Sequence, residues 1–190
     1  MDKIVQIIHK VGLPATFTDE FYKHSSILHL KKNDFFVKEK MVCNYLGVIE
    51  SGALYAFIHK NEDEIVNDLL TPNSFITYYR SYLTQLPSNG NIKAIEDSRI
   101  YVFTYSQYQN LLKSHDWALF FKYVSDTLFI KKCARENAFM KLTAIDRFKQ
   151  LKTVQPNVEQ LFPQYIIASY LGIKPETLSR IKSLDLRQEK

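Results

Sequence analysis

PQYIIASYLGIKPETLSRIKSL, residues 163–184, reads as two short helices joined by a tight turn. Ile166, Ile167, Tyr170 and Leu171 recur at helical spacing and give the first helix one apolar side. Gly172 follows, a residue that takes positive φ without steric cost and ends a helix. Ile173 is placed to plug the gap between the two helices. Pro175 suits the first turn of a new helix, where its missing N–H has no partner to lose. Leu178 and Ile181 lie three apart and point back at the first helix. Glu176, Thr177, Ser179, Arg180 and Lys182 are left on the other side. A helix anchored on one side and polar on the other is what a major groove admits. The stretch is therefore read as a DNA-reading helix-turn-helix. Similar pairs of helices also occur in all-α proteins that never touch nucleic acid, so the rest of the chain must decide.

Charge bears on that decision. Residues 1–130 hold 13 Lys and Arg against 14 Asp and Glu, whereas residues 131–190 hold 12 against 6. The positive excess lies in the third of the chain that carries the helix pair, where phosphate attraction would want it. A solvated helical surface can carry the same excess. The 190 residues fit one large domain or two small ones, and 13 Phe and 12 Tyr supply a sizeable core. The amphipathic start MDKIVQIIHK is no secretory signal. No segment stays apolar for the ~20 residues of a membrane span. Cys43 and Cys133 read as reduced thiols. Together these features predict a cytoplasmic protein with no membrane contact.

Upstream, Asp2–Val11 reads as a helix on Ile4, Ile7, Ile8 and Val11, stopped by Gly12 and Pro14. Thr18–His24 adds a helical turn. From Ser26 the period changes to alternating, β-branched and aromatic runs, giving seven or eight strands and a small antiparallel roll. Ser51-Gly52, between runs 44–50 and 53–59, carries a β-hairpin signal, and residues 61–64 form a second turn. Within 73–90, Phe75, Tyr79, Leu83 and Leu86 are spaced for a short helix. Ser106-x-x-Gln109 reads as a capping box opening another.

A long helix follows, from Ser114 or His115 to about Leu142, spanning roughly 40 Å. Trp117, Phe120, Phe121, Val124, Leu128, Ala134 and Ala138 mark its apolar face. That face implies either a coiled-coil-like homodimer seam, or an aromatic half packed on the roll with only the second half paired. Thr143–Asp146 is a further capping box, opening a helix over 145–153. The predicted fold is α+β. It has a jelly-roll-like β-roll (1–113), a connecting and dimerisation helix (114–142) and a helix-turn-helix domain (143–190) with a short or absent wing.

That order of parts resembles the Crp–Fnr family of bacterial transcription regulators over nearly the whole chain. The wording of IASYLGIKPETLSRI (167–181) and DRFKQLKTVQP (146–156) is similar to the Bacteroidetes-type members. The resemblance implies a homodimer on palindromic double-stranded DNA, a surface for RNA polymerase and an effector-binding roll. The three base-contacting positions of better-known members hold Pro175, Glu176 and Arg180 here. Arg180 can chelate the O6 and N7 of guanine and Glu176 can accept from a cytosine amino group, while Pro175 offers no such bond. Thr177 and Ser179 are then expected near bases or phosphates, with Lys174 and Lys182 on phosphates. Lys174 stands where a serine or threonine N-cap is usual.

Cyclic-nucleotide-binding members carry a Gly-Glu pair and an Arg-Ser or Arg-Thr pair. In the matching region, 75–91, Ile76–Tyr79 replaces the first, and Ser88-Asn89 falls about where the second belongs. No lysine or arginine lies between Arg80 and Lys93. A buried phosphate without a cation is costly, so cyclic AMP is not expected to bind in the usual way. Tyr78, Tyr79, Arg80, Ser88 and Asn89 are the candidate pocket for another effector, of unknown identity. Two cysteines cannot hold the four-cysteine iron–sulfur cluster of redox members, and five histidines show no metal spacing. Neither a catalytic motif nor a cofactor signature is present, so no enzyme is expected. The alternative is a small-molecule sensor or adaptor of the same fold that acts through protein partners.

Overall fold

The computed structural model describes residues 3–188, with side chains over 4–183. Asp2, the expected start of the first helix, lies outside the described residues. Helices α1 (Lys3–Val11) and α2 (Phe17–His24) precede eight strands. These are β1 (Ser26–Leu30), β2 (Phe35–Val37), β3 (Tyr45–Ser51), β4 (Leu54–Lys60), β5 (Asp63–Leu70), β6 (Phe75–Ile76), β7 (Asn91–Ala94) and β8 (Ser98–Thr104). Helix α3 (Tyr79–Thr84) separates β6 from β7. Then come α4 (Tyr105–Leu111), α5 (His115–Lys141), α6 (Ala144–Val154), α7 (Val158–Leu161), α8 (Gln164–Leu171) and α9 (Pro175–Gln188). The fold is α+β.

The strands form two antiparallel four-stranded sheets, ordered β1-β8-β3-β6 and β2-β7-β4-β5. This corrects the hairpin expected at Ser51-Gly52. β3 pairs with β8 and β6, while β4 pairs with β5 and β7. Gly52 does take positive φ, at 93°, but it carries the chain from one sheet to the other. A Cβ there would lie 2.6 Å from the Cα of Ser98, so the crossing runs against β8. The tight hairpin is the next one, where Lys60 pairs with Asp63 across Asn61 at φ 58°.

β4 explains why its sequence is apolar at nearly every position. Leu54 and Ala56 join the core inside the roll, and Tyr55 and Phe57 join a second core outside it. A strand buried on both faces loses the polar half of its alternation. The inner core is closed by α1, α2 and the first half of α5. Trp117, Phe120, Phe121 and Val124 of α5 are all buried there. Trp117 lies 4.6 Å from Phe17 and 5.4 Å from Phe103 between ring centroids. Burying each such side chain contributes about 1.5–3 kcal/mol. The aromatic half of α5 therefore packs on its own roll and is no dimer seam. The outward side of α5 leaves Phe129, Ile130 and Met140 more than 60% exposed.

Three local readings shift. Phe75 lies in β6 rather than in a helix, and α3 turns Ser81 and Tyr82 inward while Leu83 and Leu86 stay exposed. The tyrosine takes the interior, with its hydroxyl within reach of the carbonyls of Phe103 (3.4 Å) and Thr104 (3.2 Å). Helix α4 is capped two residues earlier than expected, by Thr104 and Gln107 in a reciprocal capping box. At Thr143 only one half of the expected box forms: the Asp146 N–H donates to the Thr143 hydroxyl at 3.2 Å, while the Asp146 carboxylate accepts from that hydroxyl at 2.6 Å rather than from the Thr143 N–H.

The second core joins the carboxy-terminal helices to the roll. Phe148, Leu151, Val158, Phe162, Ile166 and Leu171 are among the residues packed with Tyr55, Phe57, Val66 and Leu69. Ser169 fastens α8 to the edge strand β5. Its hydroxyl accepts from the Val66 N–H and donates to the Glu64 carbonyl, both at 2.9 Å.

Candidate nucleic-acid interface

The turn between α8 and α9 is built as its sequence requires. Gly172 has φ 69°, its N–H donates to the Ser169 carbonyl, and the Ile173 N–H reaches back to the Ala168 carbonyl, both at 3.0 Å. These bonds satisfy carbonyls that the end of α8 would otherwise leave open. Pro175 is the first residue of α9, and the Lys174 carbonyl accepts the first helical bond, from the Leu178 N–H. Gln164 adds a clamp, its side-chain amide donating to the Pro175 carbonyl at 3.2 Å. Leu178 and Ile181 are buried against α8 and its neighbours.

The opposite side of α9 presents Glu176, Thr177, Ser179 and Arg180 to solvent, with Lys174 exposed just before it. Glu176 sits in the first turn, where a negative charge suits the helix dipole. Lys182 is placed differently from the other five. It is half-buried and forms an ion pair with Glu159 of α7, bracing α9 instead of standing free for a phosphate. A shallow concavity unites Glu176, Ser179 and Arg180 with Gln164 and Tyr165 of α8. Tyr165 is 57% exposed there. Sequence reasoning missed these two. Their signal was position alone, in the first turn of α8 beside the start of α9.

Of the five residues expected to form an effector pocket, the structure brings Tyr78, Ser88 and Asn89 together, sets Tyr79 beside Tyr78 on a cavity wall, and leaves Arg80 outside it. Tyr78 and Tyr79 line a cavity of about 270 Å³ between the roll and α5. Arg80 is exposed away from it. Ser88 is buried with its hydroxyl donating to the Gly90 carbonyl at 2.7 Å, and Asn89 accepts from the Tyr78 hydroxyl at 2.8 Å. Tyr79 is tied to Ser125 of α5 at 2.6 Å. Burial pushes the Tyr78 phenol above its ordinary value. Cations do reach this cavity, from α5 and not from the 75–91 segment: Lys131, Lys132 and Arg135. Lys131 is paired with Asp68 at 2.6 Å and Lys132 with Glu136 at 3.8 Å.

Among the described residues, no three His, Cys, Asp or Glu gather where they could hold a metal. No helix there is long and apolar enough to cross a membrane. Cys43 and Cys133 are unbridged, and burial raises the Cys43 thiol above its ordinary value.

Residues 27–115, just under half of the chain, match the family described as the cyclic nucleotide-binding domain. No curated protein sequence matches the chain. Solved structures share its fold over most of its length. FixK2 from Bradyrhizobium japonicum superposes with a TM-score of 0.73 at 14% identity, covering 87% of this chain and 86% of that one. The c-di-GMP responsive global regulator CLP of Xanthomonas campestris gives 0.69 at 13% identity, over 92% and 93%. A structure from Eubacterium rectale assigned to the crp/fnr family of transcriptional regulators gives 0.66 at 18% identity, over 95% and 87%. At such identities the likeness is one of fold.

Proposed function

We propose that this chain is a sequence-specific DNA-binding transcription regulator of the Crp–Fnr kind, reading palindromic DNA as a homodimer. The observation that carries this reading is the geometry of α9. Leu178 and Ile181 clamp it, while Glu176, Thr177, Ser179 and Arg180 stand out on its free side. The surplus of basic residues over 131–190 supplies phosphate attraction. Arg180 reads a guanine, Glu176 a cytosine, and Lys174, Thr177 and Ser179 position the backbone. In this reading residues 143–190 are the reading unit, 114–142 the pairing helix and 1–113 the regulatory roll. The outward apolar side chains Phe129, Ile130 and Met140 of α5 supply the dimer contact. Regulators of the same fold lend it support, and RNA polymerase is the partner that follows. No step of the reading requires enzymatic chemistry. In this reading the roll takes no cyclic AMP in the usual way, because no lysine or arginine lies between Arg80 and Lys93 and Arg80 is exposed outside the cavity.

The test is selection of random duplex DNA by the full chain at fixed salt, followed by sequencing. An enriched inverted repeat with half-sites about 34–36 Å apart is expected. Retention that is salt-dependent and indifferent to sequence would defeat the reading and favour a sensor acting through protein partners.

A further inference from the structure

The carboxy-terminal end of α8 is gripped from two other helices. Nη2 of Arg135, on α5, donates to the carbonyls of Val66 in β5 (3.2 Å) and Tyr170 in α8 (3.3 Å). Arg147, on α6, donates from Nη1 to the Leu142 carbonyl at the end of α5 (2.8 Å) and from Nη2 to the Leu171 carbonyl (2.9 Å). Tyr170 and Leu171 are the last residues of α8, whose carbonyls have no helical donor and stand at the negative end of its dipole. Both guanidinium groups lie over the Phe139 ring of α5, each 4.6 Å from its centroid. That same ring lies against Gly172, in the turn that leads to α9.

These bonds supply what the apolar contacts do not. Ile166, Ile167, Ala168 and Leu171 bury α8 in the second core. Apolar burial is non-directional, and helix packing fixes a crossing angle only to within about 15–20°. Four charge-assisted hydrogen bonds from two planar guanidinium groups are directional. α9 follows α8 through the Gly172 turn and the Gln164–Pro175 bond, so whatever orients α8 orients α9.

We propose that Arg135 and Arg147 are positioning residues that fix the angle between the pairing helix α5 and the reading helix α9. Under the regulatory reading, on which this rests, two chains joined along α5 then hold their reading helices at one separation and one relative twist. One base pair more or less between half-sites shifts them by about 3.4 Å and turns them by about 35°. A rigid pair of chains cannot follow that change, and a loosened pair can.

The first test needs no DNA. Spin labels at Lys132→Cys on α5 and Ser183→Cys on α9 are read by pulsed electron resonance, with Cys133→Ser and the buried Cys43 left in place. Dilution into unlabelled protein isolates the distance within one chain. A narrow distribution is expected, and Arg135→Met combined with Arg147→Met should broaden it at least twofold. Arg147→Lys keeps the charge and loses the planar fork, and it gives an intermediate width should the double variant not fold.

The second test compares affinity for the selected inverted repeat with affinity for the same repeat whose spacer is changed by one base pair. The unsubstituted chain is expected to discriminate at least tenfold and Arg147→Lys less than threefold. Tyr82→Phe loosens the roll and leaves the clamp alone, so it keeps the full discrimination. Unchanged distance widths overturn the proposal, as does spacer discrimination that survives in the arginine variants. A distance that broadens as expected, in a chain that selects no inverted repeat, supports the clamp and defeats the regulatory reading alone.

Discussion

Phe139 lies directly against Gly172: a Cβ on the glycine would stand 2.8 Å from the ring's Cε1. The turn between α8 and α9 thus touches the last turns of α5, and the glycine meets two demands at once, φ 69° and absence of a side chain. Gly172→Ala is expected to destabilise the chain by about 1–3 kcal/mol through backbone strain, with the clash in addition. Phe139→Ala in the same chain should recover the clash and leave the strain. Urea unfolding of both single variants and the double variant measures this as a coupling energy. Strictly additive losses would mean that the ring and the turn do not feel each other.

Ser169 is the polar joint between α8 and β5. Ser169→Ala leaves the Val66 N–H without its 2.9 Å acceptor in a half-buried contact. The expected cost is about 1–3 kcal/mol. The Val66 amide should also exchange hydrogen faster, while amides of β3 and β8 keep their protection. Uniform acceleration across the roll would instead mean that the bond supports global stability and not the docking of α8.

The order of elements and the helix pair were legible because they rest on local rules. Period, capping and turn chemistry are short-range, and Gly172, Pro175, Leu178 and Ile181 occupy the places those rules assign. What failed was pairing and direction. Ser51-Gly52 has the composition of a hairpin turn, but the partner of β3 is β8, some fifty residues away, and nothing near Gly52 encodes that. Leu83 looked more apolar than Tyr82, yet the tyrosine is the buried one, with its hydroxyl within reach of the Phe103 and Thr104 carbonyls. Lys182 looked like a phosphate ligand because its partner Glu159 lies on another helix.

Alkaline pH should unfold the chain in a defined window. Burial raises the phenols of Tyr55, Tyr78, Tyr82, Tyr108 and Tyr170, as it raises the Cys43 thiol. The unfolded chain then releases these protons first. Their contribution is complete below the ordinary values, 9.0 for the thiol and 10.0 for the phenols, and is lost as pH rises past them. Each phenol held protonated steepens the loss by about 1.4 kcal/mol per pH unit. Urea midpoints between pH 8 and 11, with tyrosinate absorbance recorded alongside, follow it. Tyr82→Phe should flatten the slope while lowering stability at neutral pH through the lost hydrogen bonds. An unchanged slope would mean that Tyr82 ionises in the folded state.

Arg180 and Lys182 sit two residues apart on α9 and should behave oppositely. Arg180 is exposed on the free face, whereas Lys182 is half-buried and paired with Glu159. If Arg180 reads a guanine, Arg180→Ala costs about 1–3 kcal/mol of specific binding and relaxes preference at one base pair per half-site. Lys182→Ala should leave preference intact and change the salt slope of binding by less than one phosphate contact, because its charge is already spent on a carboxylate. Its effect belongs to the support of α9, where a partly exposed ion pair contributes about 0–1 kcal/mol. Binding isotherms over a range of salt, on the selected duplex and on single-base variants, separate the two. Uniform weakening across all duplexes by Arg180→Ala would move that side chain from a base to the phosphate backbone. A full unit of lost salt slope in Lys182→Ala would mean that α9 releases Glu159 when it enters the groove.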